Sequence, residues 1–172
     1  PLPWTVPGCV AGWFALHEKF GKLPMSKVLA PAIAYAEEGF PLSELIAHYW
    51  HRSLKAFSQY ENFQKLYAPH GKVPRKGDVF RNPELAATYR LLARHGADAF
   101  YRGQLAEKII AYSKRVGGFF SQDDFAGFQP EWVAPMGVNY RGYDVWELPP
   151  NGQGLAVLQM LQVFANVTAS AL

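Results

Sequence analysis

The sequence predicts an α+β fold in which residues 1–130 are mainly helical and residues 131–172 form two strands and a helix. Helical spacing of apolar residues, bounded by capping residues and glycines, predicts the first region. Strand-forming residues after Trp132, followed by a closing apolar run, predict the second. Because 49% of the 172 residues are hydrophobic and 18% are charged, we expect a single folded domain.

Two helices are predicted at the start of the chain, and each ends at a glycine. Apolar residues recur at helical spacing from Val10 onwards, and Gly21 stops the pattern. Ser26 is a suitable N-cap for the second helix, which Gly39 terminates. Pro31 then falls near the first turn of this helix, where it loosens the start.

A third helix is predicted to begin after Ser43, whose hydroxyl can cap it. Its apolar side chains are expected to point inward: Leu45, Ile46, Tyr49, Trp50 and Leu54. Residues 56–76 are aromatic but are interrupted by prolines and glycines. That composition predicts a loop with short turns.

The best-marked helix starts at Asn82 and Pro83, because a capping side chain stands directly before a proline at the first helical position. It is expected to run to Gly96. Another helix is predicted over residues 104–115. The spacing within residues 121–124 is that of a capping box, which predicts a short helical turn.

The character of the chain changes in its last forty residues. Two extended runs flank a tight turn at Arg141 and Gly142. A double proline and a glycine-containing turn follow, and the apolar run 154–164 predicts a helix. Since this run is apolar on more than one face, we expect the helix to be buried from two sides.

Charge, hydropathy and cysteine content exclude several classes of protein. A net charge of +3, from 17 basic and 14 acidic residues, is too small for a surface that tracks nucleic-acid phosphates. The basic run 72–76 is interrupted by proline and is predicted to be a solvated loop. No apolar run reaches the ~20 residues that span a bilayer. The single Cys9 excludes an intrachain disulfide and is expected to be a small core residue.

The turn formed by Asn151, Gly152, Gln153 and Gly154 is the candidate binding segment. A strand, a Gly-x-Gly turn and a helix also begin dinucleotide-binding units, but Val157 stands where a third glycine belongs. The glycines alternatively serve only to let the helix pack closely on its sheet. We hypothesise that the turn forms one wall of a substrate pocket.

Other chemistry-bearing residues are weaker candidates. Glu44, His48 and His51 share one helix face, yet they lack the HExxH form and a fourth ligand, so no metal is predicted. Asp123 and Asp124 are better explained as capping residues than as paired catalytic acids. No threonine stands in a setting that would activate it as a nucleophile: Thr5, Thr88 and Thr168.

Short segments along the whole chain resemble those of the gamma-glutamyltranspeptidase family. They occur in that family's order and at about its spacing: residues 6–12, 28–33, 39–41, 100–106, 117–118, 124–126, 140–143 and 149–150. Their collinearity identifies the chain as a member of this family. The segment at residues 151–154 reads Asn-Gly-Gln-Gly, whereas the best-known members have a double-serine form of this segment.

The resemblance implies an N-terminal-nucleophile hydrolase with an αββα sandwich, made as a precursor that cleaves itself. Such enzymes use a threonine, freed on the second piece, to attack a gamma-glutamyl amide such as glutathione, and water or an amino acid then takes the acyl group. This chain then corresponds to part of the large subunit. Its partners are the small-subunit portion of the same precursor and a gamma-glutamyl substrate, with no cofactor.

By the same resemblance, the nucleophile lies beyond Leu172 and the arginine that grips the substrate carboxylate lies upstream of residue 6. No catalytic residue is therefore assigned to this chain, and the chain alone is expected to be inactive. Two other functions stay open: a noncatalytic helical interaction module, or an amidase or acylase for a different acyl group. The compartment is periplasmic or extracellular if an export signal precedes the chain, and otherwise cytoplasmic.

Overall fold

The computed structural model describes residues 4–167, which divide into two compact units with the boundary between Gln129 and Pro130. Both units contain helices and a short antiparallel strand pair, which confirms the predicted α+β class. One domain over residues 1–172 stays a prediction.

The first unit is mainly helical, as predicted. Its longer helices are α1 Cys9–Phe20, α2 Met25–Glu38, α3 Glu44–Phe57, α4 Glu61–Tyr67, α5 Pro83–His95 and α7 Gln104–Arg115. Shorter elements are β1 Phe40–Pro41, a 3₁₀ turn Pro69–Gly71, β2 Val79–Phe80, α6 Asp98–Tyr101 and α8 Gln122–Ala126. The second unit consists of β3 Met136–Tyr140, β4 Tyr143–Glu147 and α9 Gly154–Asn166.

Several predicted helix starts are confirmed by their capping hydrogen bonds. The Ser43 hydroxyl accepts from the Ile46 N–H at 3.4 Å, and the Asn82 carbonyl oxygen accepts from the Leu85 N–H at 3.0 Å. Ser121 and Asp124 form the predicted capping box at the start of α8. Hydrogen bonds from the Ser121 backbone N–H and hydroxyl lower the pKa of the Asp124 carboxyl.

The predicted start of the second helix is wrong. Helix α2 begins at Met25, and the Pro24 carbonyl accepts the N–H groups of Lys27 and Val28 at 2.8 and 3.2 Å. Ser26 is therefore already helical and caps nothing. Pro31 lies in the interior of α2, where it removes one backbone hydrogen bond that α2 would otherwise form.

Residues 56–76 are more regular than predicted, because they contain α4 and the 3₁₀ turn. Aromatic contacts supply the reason. Phe63 and Tyr67 are one helical turn apart with ring centroids at 5.5 Å, and Trp50 meets Tyr67 edge-on at 5.3 Å. The expected inward orientation of the α3 apolar residues is also wrong for Leu45, Ile46 and Tyr49, whose side chains are exposed.

The helical core surrounds Tyr101, of which only 3% is exposed. Its neighbours in the core are small or aliphatic apart from Phe125: Val10, Ala11, Leu29, Leu92, Ala99, Ala106, Ile110 and Phe125. Cys9 does not belong to this core, contrary to prediction, since it is exposed as the first residue of α1. No helix within residues 4–167 is both long and apolar enough to cross a membrane.

The Tyr101 hydroxyl links the start of α1 to the core. It donates to the Pro7 carbonyl at 2.6 Å and accepts from the Ala11 N–H at 3.0 Å. Ala11 lies in the first turn of α1, where backbone N–H groups have no helical acceptor. Burial raises the pKa of the Tyr101 phenol above its ordinary value of 10.0.

The second unit is a hairpin covered by one helix. Strands β3 and β4 are antiparallel, with Tyr140 opposite Tyr143. The predicted tight turn is confirmed: Arg141 and Gly142 both have positive φ, at 51° and 88°, as the favoured two-residue hairpin turn requires.

Helix α9 packs on β3 and β4 and buries Leu158. Its other side is open among the described residues, since Met160, Val163 and Phe164 are more than half exposed. The expected burial from two sides is therefore not observed, because the hairpin covers only one side. Burial of this helix inside a complete sandwich stays a prediction.

We predict that Tyr101→Phe lowers the free energy of unfolding by about 1–3 kcal/mol, because the Ala11 N–H loses its buried acceptor. Urea denaturation followed by circular dichroism measures this change. Tyr35→Phe is the matched control, since Tyr35 is 64% exposed and its hydroxyl makes no hydrogen bond within residues 4–167. If the two substitutions changed the free energy of unfolding equally, the Tyr101 hydroxyl would not have the stabilising role assigned to it.

Candidate functional site

The candidate site is the connection from β4 to α9, residues 148–154. Asn151, Gly152 and Gln153 are exposed. The Gln153 carbonyl accepts the N–H groups of Ala156 and Val157 at 3.0 and 3.2 Å, which begins α9. The structure therefore brings the four predicted residues together as one turn at the start of a helix.

Gly154 is the most constrained residue of this turn. A Cβ atom at this position would lie 2.7 Å from the Glu147 Cβ and 3.0 Å from the Leu148 carbonyl oxygen. Helix α9 can approach the end of β4 this closely only because residue 154 has no side chain. The close-packing role that the sequence left open is thus confirmed for Gly154.

Gly152 differs from Gly154, although the two glycines are only two residues apart. No atom lies within 4 Å of a Cβ built on Gly152, and its φ is outside the left-handed region. Neither space nor backbone conformation therefore requires glycine there. The two positions form a matched pair in which one glycine is needed for packing and the other is not.

The electrostatics of the turn come from α9 and from Glu147. No described side chain caps α9, because Gln153 occupies the N-cap position without a capping hydrogen bond. The positive end of the helix dipole therefore faces the turn, and it favours a carboxylate. Glu147 supplies one, with Oε2 at 2.9 Å from the Cβ position of Gly154.

Glu147 is the residue of this site that the sequence did not single out. In the sequence it is only the last residue of a predicted strand. An acidic residue at a strand end, seven positions before a helix-starting glycine, was the available signal. Only the geometry of the turn shows that the Glu147 carboxylate lies beside the start of the helix.

The other predicted candidates do not form a site. Glu44 pairs with Lys76, with Oε2 and Nζ at 2.7 Å, and the His48 ring meets Tyr49 edge-on. Within residues 4–167, no three His, Cys, Asp or Glu side chains are arranged to hold a metal ion. The Thr88 hydroxyl donates to the Glu84 carbonyl at 2.9 Å, and Thr168 lies outside the described residues.

The chain belongs to the gamma-glutamyltranspeptidase family, whose model matches residues 1–172. This is a family of enzymes, and its curated relatives include glutathione hydrolase proenzymes from Pseudomonas aeruginosa and Escherichia coli. The chain is 36% identical over 162 residues to the glutathione hydrolase-like YwrD proenzyme of Bacillus subtilis. That match covers 94% of this chain and 31% of the relative, so the chain spans about a third of the relative's length.

Solved structures share the fold. The cephalosporin acylase of Bacillus halodurans matches 96% of this chain with a TM-score of 0.88 and 39% identity, over 33% of its own chain. The gamma-glutamyltranspeptidase of Helicobacter pylori matches 96% with a TM-score of 0.87 and 32% identity, over 48% of its own chain. The family that the sequence motifs indicated is therefore confirmed.

We predict that Gly154→Ala destabilises the chain by about 1–3 kcal/mol, because the added methyl group overpacks against the Leu148 carbonyl and Glu147. Gly152→Ala should stay within about 0.5 kcal/mol of the parent. Chemical denaturation of both variants measures the difference. If the two substitutions had the same effect, the close approach of α9 to β4 would not explain the glycine at 154.

Proposed function

We propose that this chain is part of the large subunit of a gamma-glutamyltransferase or hydrolase that acts on glutathione and other gamma-glutamyl amides. The observation that carries the proposal is the family match over residues 1–172, which agrees with the likeness in fold to a gamma-glutamyltranspeptidase. The chain spans only part of its relatives, so the activity belongs to the complete protein.

The reaction proceeds through a threonine that lies outside this chain. Its hydroxyl attacks the gamma-glutamyl amide carbon, and the amine leaves with a proton as the acyl-enzyme forms. Water then gives glutamate, or an amino acid gives a new gamma-glutamyl amide. Thr88 is not assigned as this nucleophile, because its hydroxyl is hydrogen-bonded to the Glu84 carbonyl of its own helix.

The partner is the remainder of the same precursor. Several relatives carry the word proenzyme in their names, including the glutathione hydrolase proenzymes of Pseudomonas aeruginosa and Escherichia coli. A precursor that is cut to free its nucleophile needs a scaffold that is already folded. In this proposal, residues 1–172 supply part of that scaffold.

Residues 151–154 form one wall of the substrate pocket in this proposal. The side-chain amides of Asn151 and Gln153 are exposed and have no hydrogen-bond partner among the described residues. Such amides can donate to and accept from a polar substrate. The uncapped start of α9 contributes the positive end of its helix dipole to the same turn, and the Glu147 carboxylate beside it partly offsets that charge.

An acylase that accepts a different acyl group is the second candidate. It is favoured by the likeness to the cephalosporin acylase of Bacillus halodurans, at 39% identity and a TM-score of 0.88. The two candidates share a threonine acyl-enzyme and differ in the acyl group. The acyl group that the complete protein accepts therefore distinguishes the two candidate functions.

We expect the complete precursor to release amine from a gamma-glutamyl anilide, whereas purified residues 1–172 release none. Anilide absorbance measures both rates. An acyl anilide that lacks the α-amino group of glutamate tests the acylase: faster turnover of that substrate would replace the first candidate by the second. Turnover by residues 1–172 alone would contradict an external nucleophile, and an inactive, uncut precursor would favour a noncatalytic module.

For the pocket wall, we predict that Asn151→Ala and Gln153→Ala in the complete protein each raise KM about threefold or more with little change in kcat. Losing one hydrogen bond to the bound substrate weakens the ground state and the transition state alike. Gln159→Ala is the control, since Gln159 is an exposed amide of α9 outside the turn. Unchanged KM values in both variants would remove the turn from the pocket.

A further inference from the structure

A cavity of about 630 Å³ lies between α5 and α7, within the first unit. Its lining residues come from both helices: Glu84, Thr88 and Leu91 of α5, and Gln104, Leu105 and Lys108 of α7. Volumes of roughly 300–1,000 Å³ are typical of sites for small molecules. Neither the family match nor the proposed function assigns a role to this cavity.

The cavity lining combines half-buried apolar residues with exposed polar residues. Leu91 and Leu105 are half-buried and pack against the helical core. The charged and amide-bearing residues are exposed: Glu84, Gln104 and Lys108. The lining therefore resembles sites in which apolar surface supports a ligand and a few polar groups orient it.

The two charged residues have opposite sign and come from different helices. Lys108 has no ion-pair or hydrogen-bond partner among residues 4–167. Glu84 pairs with Lys65, with Oε1 and Nζ at 3.1 Å, but the two side chains are 81% and 72% exposed. Exposed pairs of this kind are weak, so the Glu84 carboxylate can accept another cation.

The uncharged polar groups complement an amide. The Gln104 side chain has no partner in the described part of the chain and offers both a donor and an acceptor. The Thr88 hydroxyl donates to the Glu84 carbonyl at 2.9 Å and keeps its lone pairs for a further donor. A peptide bond presents a matching N–H and C=O.

We propose that this cavity binds a short zwitterionic peptide. The peptide ammonium group pairs with Glu84, its carboxylate pairs with Lys108, and its inner amides meet Gln104 and Thr88. A volume of about 630 Å³ is large enough to admit a peptide of two or three residues. Binding is noncovalent and does not depend on the proposed activity.

Triglycine is the probe, because it carries both charges and no side chains. Isothermal titration calorimetry on the 172-residue chain compares it with N-acetyl-triglycine, which lacks the ammonium group, and with triglycinamide, which lacks the carboxylate. Triglycine should bind about tenfold more tightly than either capped peptide, since each cap removes one charge-assisted contact.

Substitutions assign the two contacts. Lys108→Gln should weaken triglycine about tenfold and leave triglycinamide unchanged, whereas Glu84→Gln should spare N-acetyl-triglycine. Lys65→Gln should tighten triglycine about threefold, because it removes the competitor for Glu84. Glu107→Gln and Lys114→Gln, which are exposed positions of α7 outside the cavity lining, are matched controls.

Several outcomes overturn the proposal. Equal affinity for the three peptides would exclude recognition of both termini, and an absence of saturable binding would exclude the site. If the control substitutions weakened triglycine binding as much as Lys108→Gln does, the loss of affinity would be explained by the change in net charge. Circular dichroism of every variant shows whether the variant is folded, so that affinities are compared only between folded chains.

Discussion

The hydroxyl of Tyr101 holds the start of α1 against the helical core, and the arrangement of the first unit depends on that bridge. The Tyr101 ring stacks on the Phe128 ring, with their centroids 5.3 Å apart. The Phe128 Cζ atom lies 2.9 Å from the position that a Cβ on Gly8 would occupy. A side chain at residue 8 would require the Phe128 ring, which stacks on Tyr101, to shift. The segments around residues 7 and 101, which carry family resemblance, therefore meet in one contact.

In the second unit, the absence of a side chain at Gly154 sets the position of α9. Gly154 allows α9 to approach the end of β4, and this approach places Glu147 beside the uncapped helix start. Packing and electrostatics at the candidate site thus have one cause. Gly152 has no such constraint, and the side-chain amides of Asn151 and Gln153 are exposed, which leaves these amides available for a ligand.

Local chemistry explains which elements the sequence could predict. Asn82, Ser43 and the Ser121 capping box act within three residues of themselves, and Arg141 and Gly142 are sufficient to define a turn. Helix α4 and the two-residue strands were missed because contacts with other elements, such as that of Trp50 with Tyr67, help to stabilise them. Phe40 pairs with Phe80, forty residues away.

The geometry of turns and the orientation of helix faces also limit what could be predicted from the sequence. The family motifs located residues 151–154, but the carboxylate of Glu147 reaches them only through the turn. Cys9 shows the opposite error, since an apolar neighbourhood in sequence suggested burial and the helix instead turns Cys9 outward. Position on a helix face, and not the identity of sequence neighbours, decides exposure.

The hairpin of β3 and β4 has a consequence for handling the isolated polypeptide. Each strand pairs only with the other within residues 4–167, so both outer edges keep free backbone donors and acceptors. Tyr143 and Trp146 are exposed on the same hairpin, at 76% and 63%. Open edges beside aromatic side chains recruit further strands, and crowding of many copies promotes intermolecular sheets. A low protein concentration therefore disfavours association of the isolated polypeptide through this hairpin.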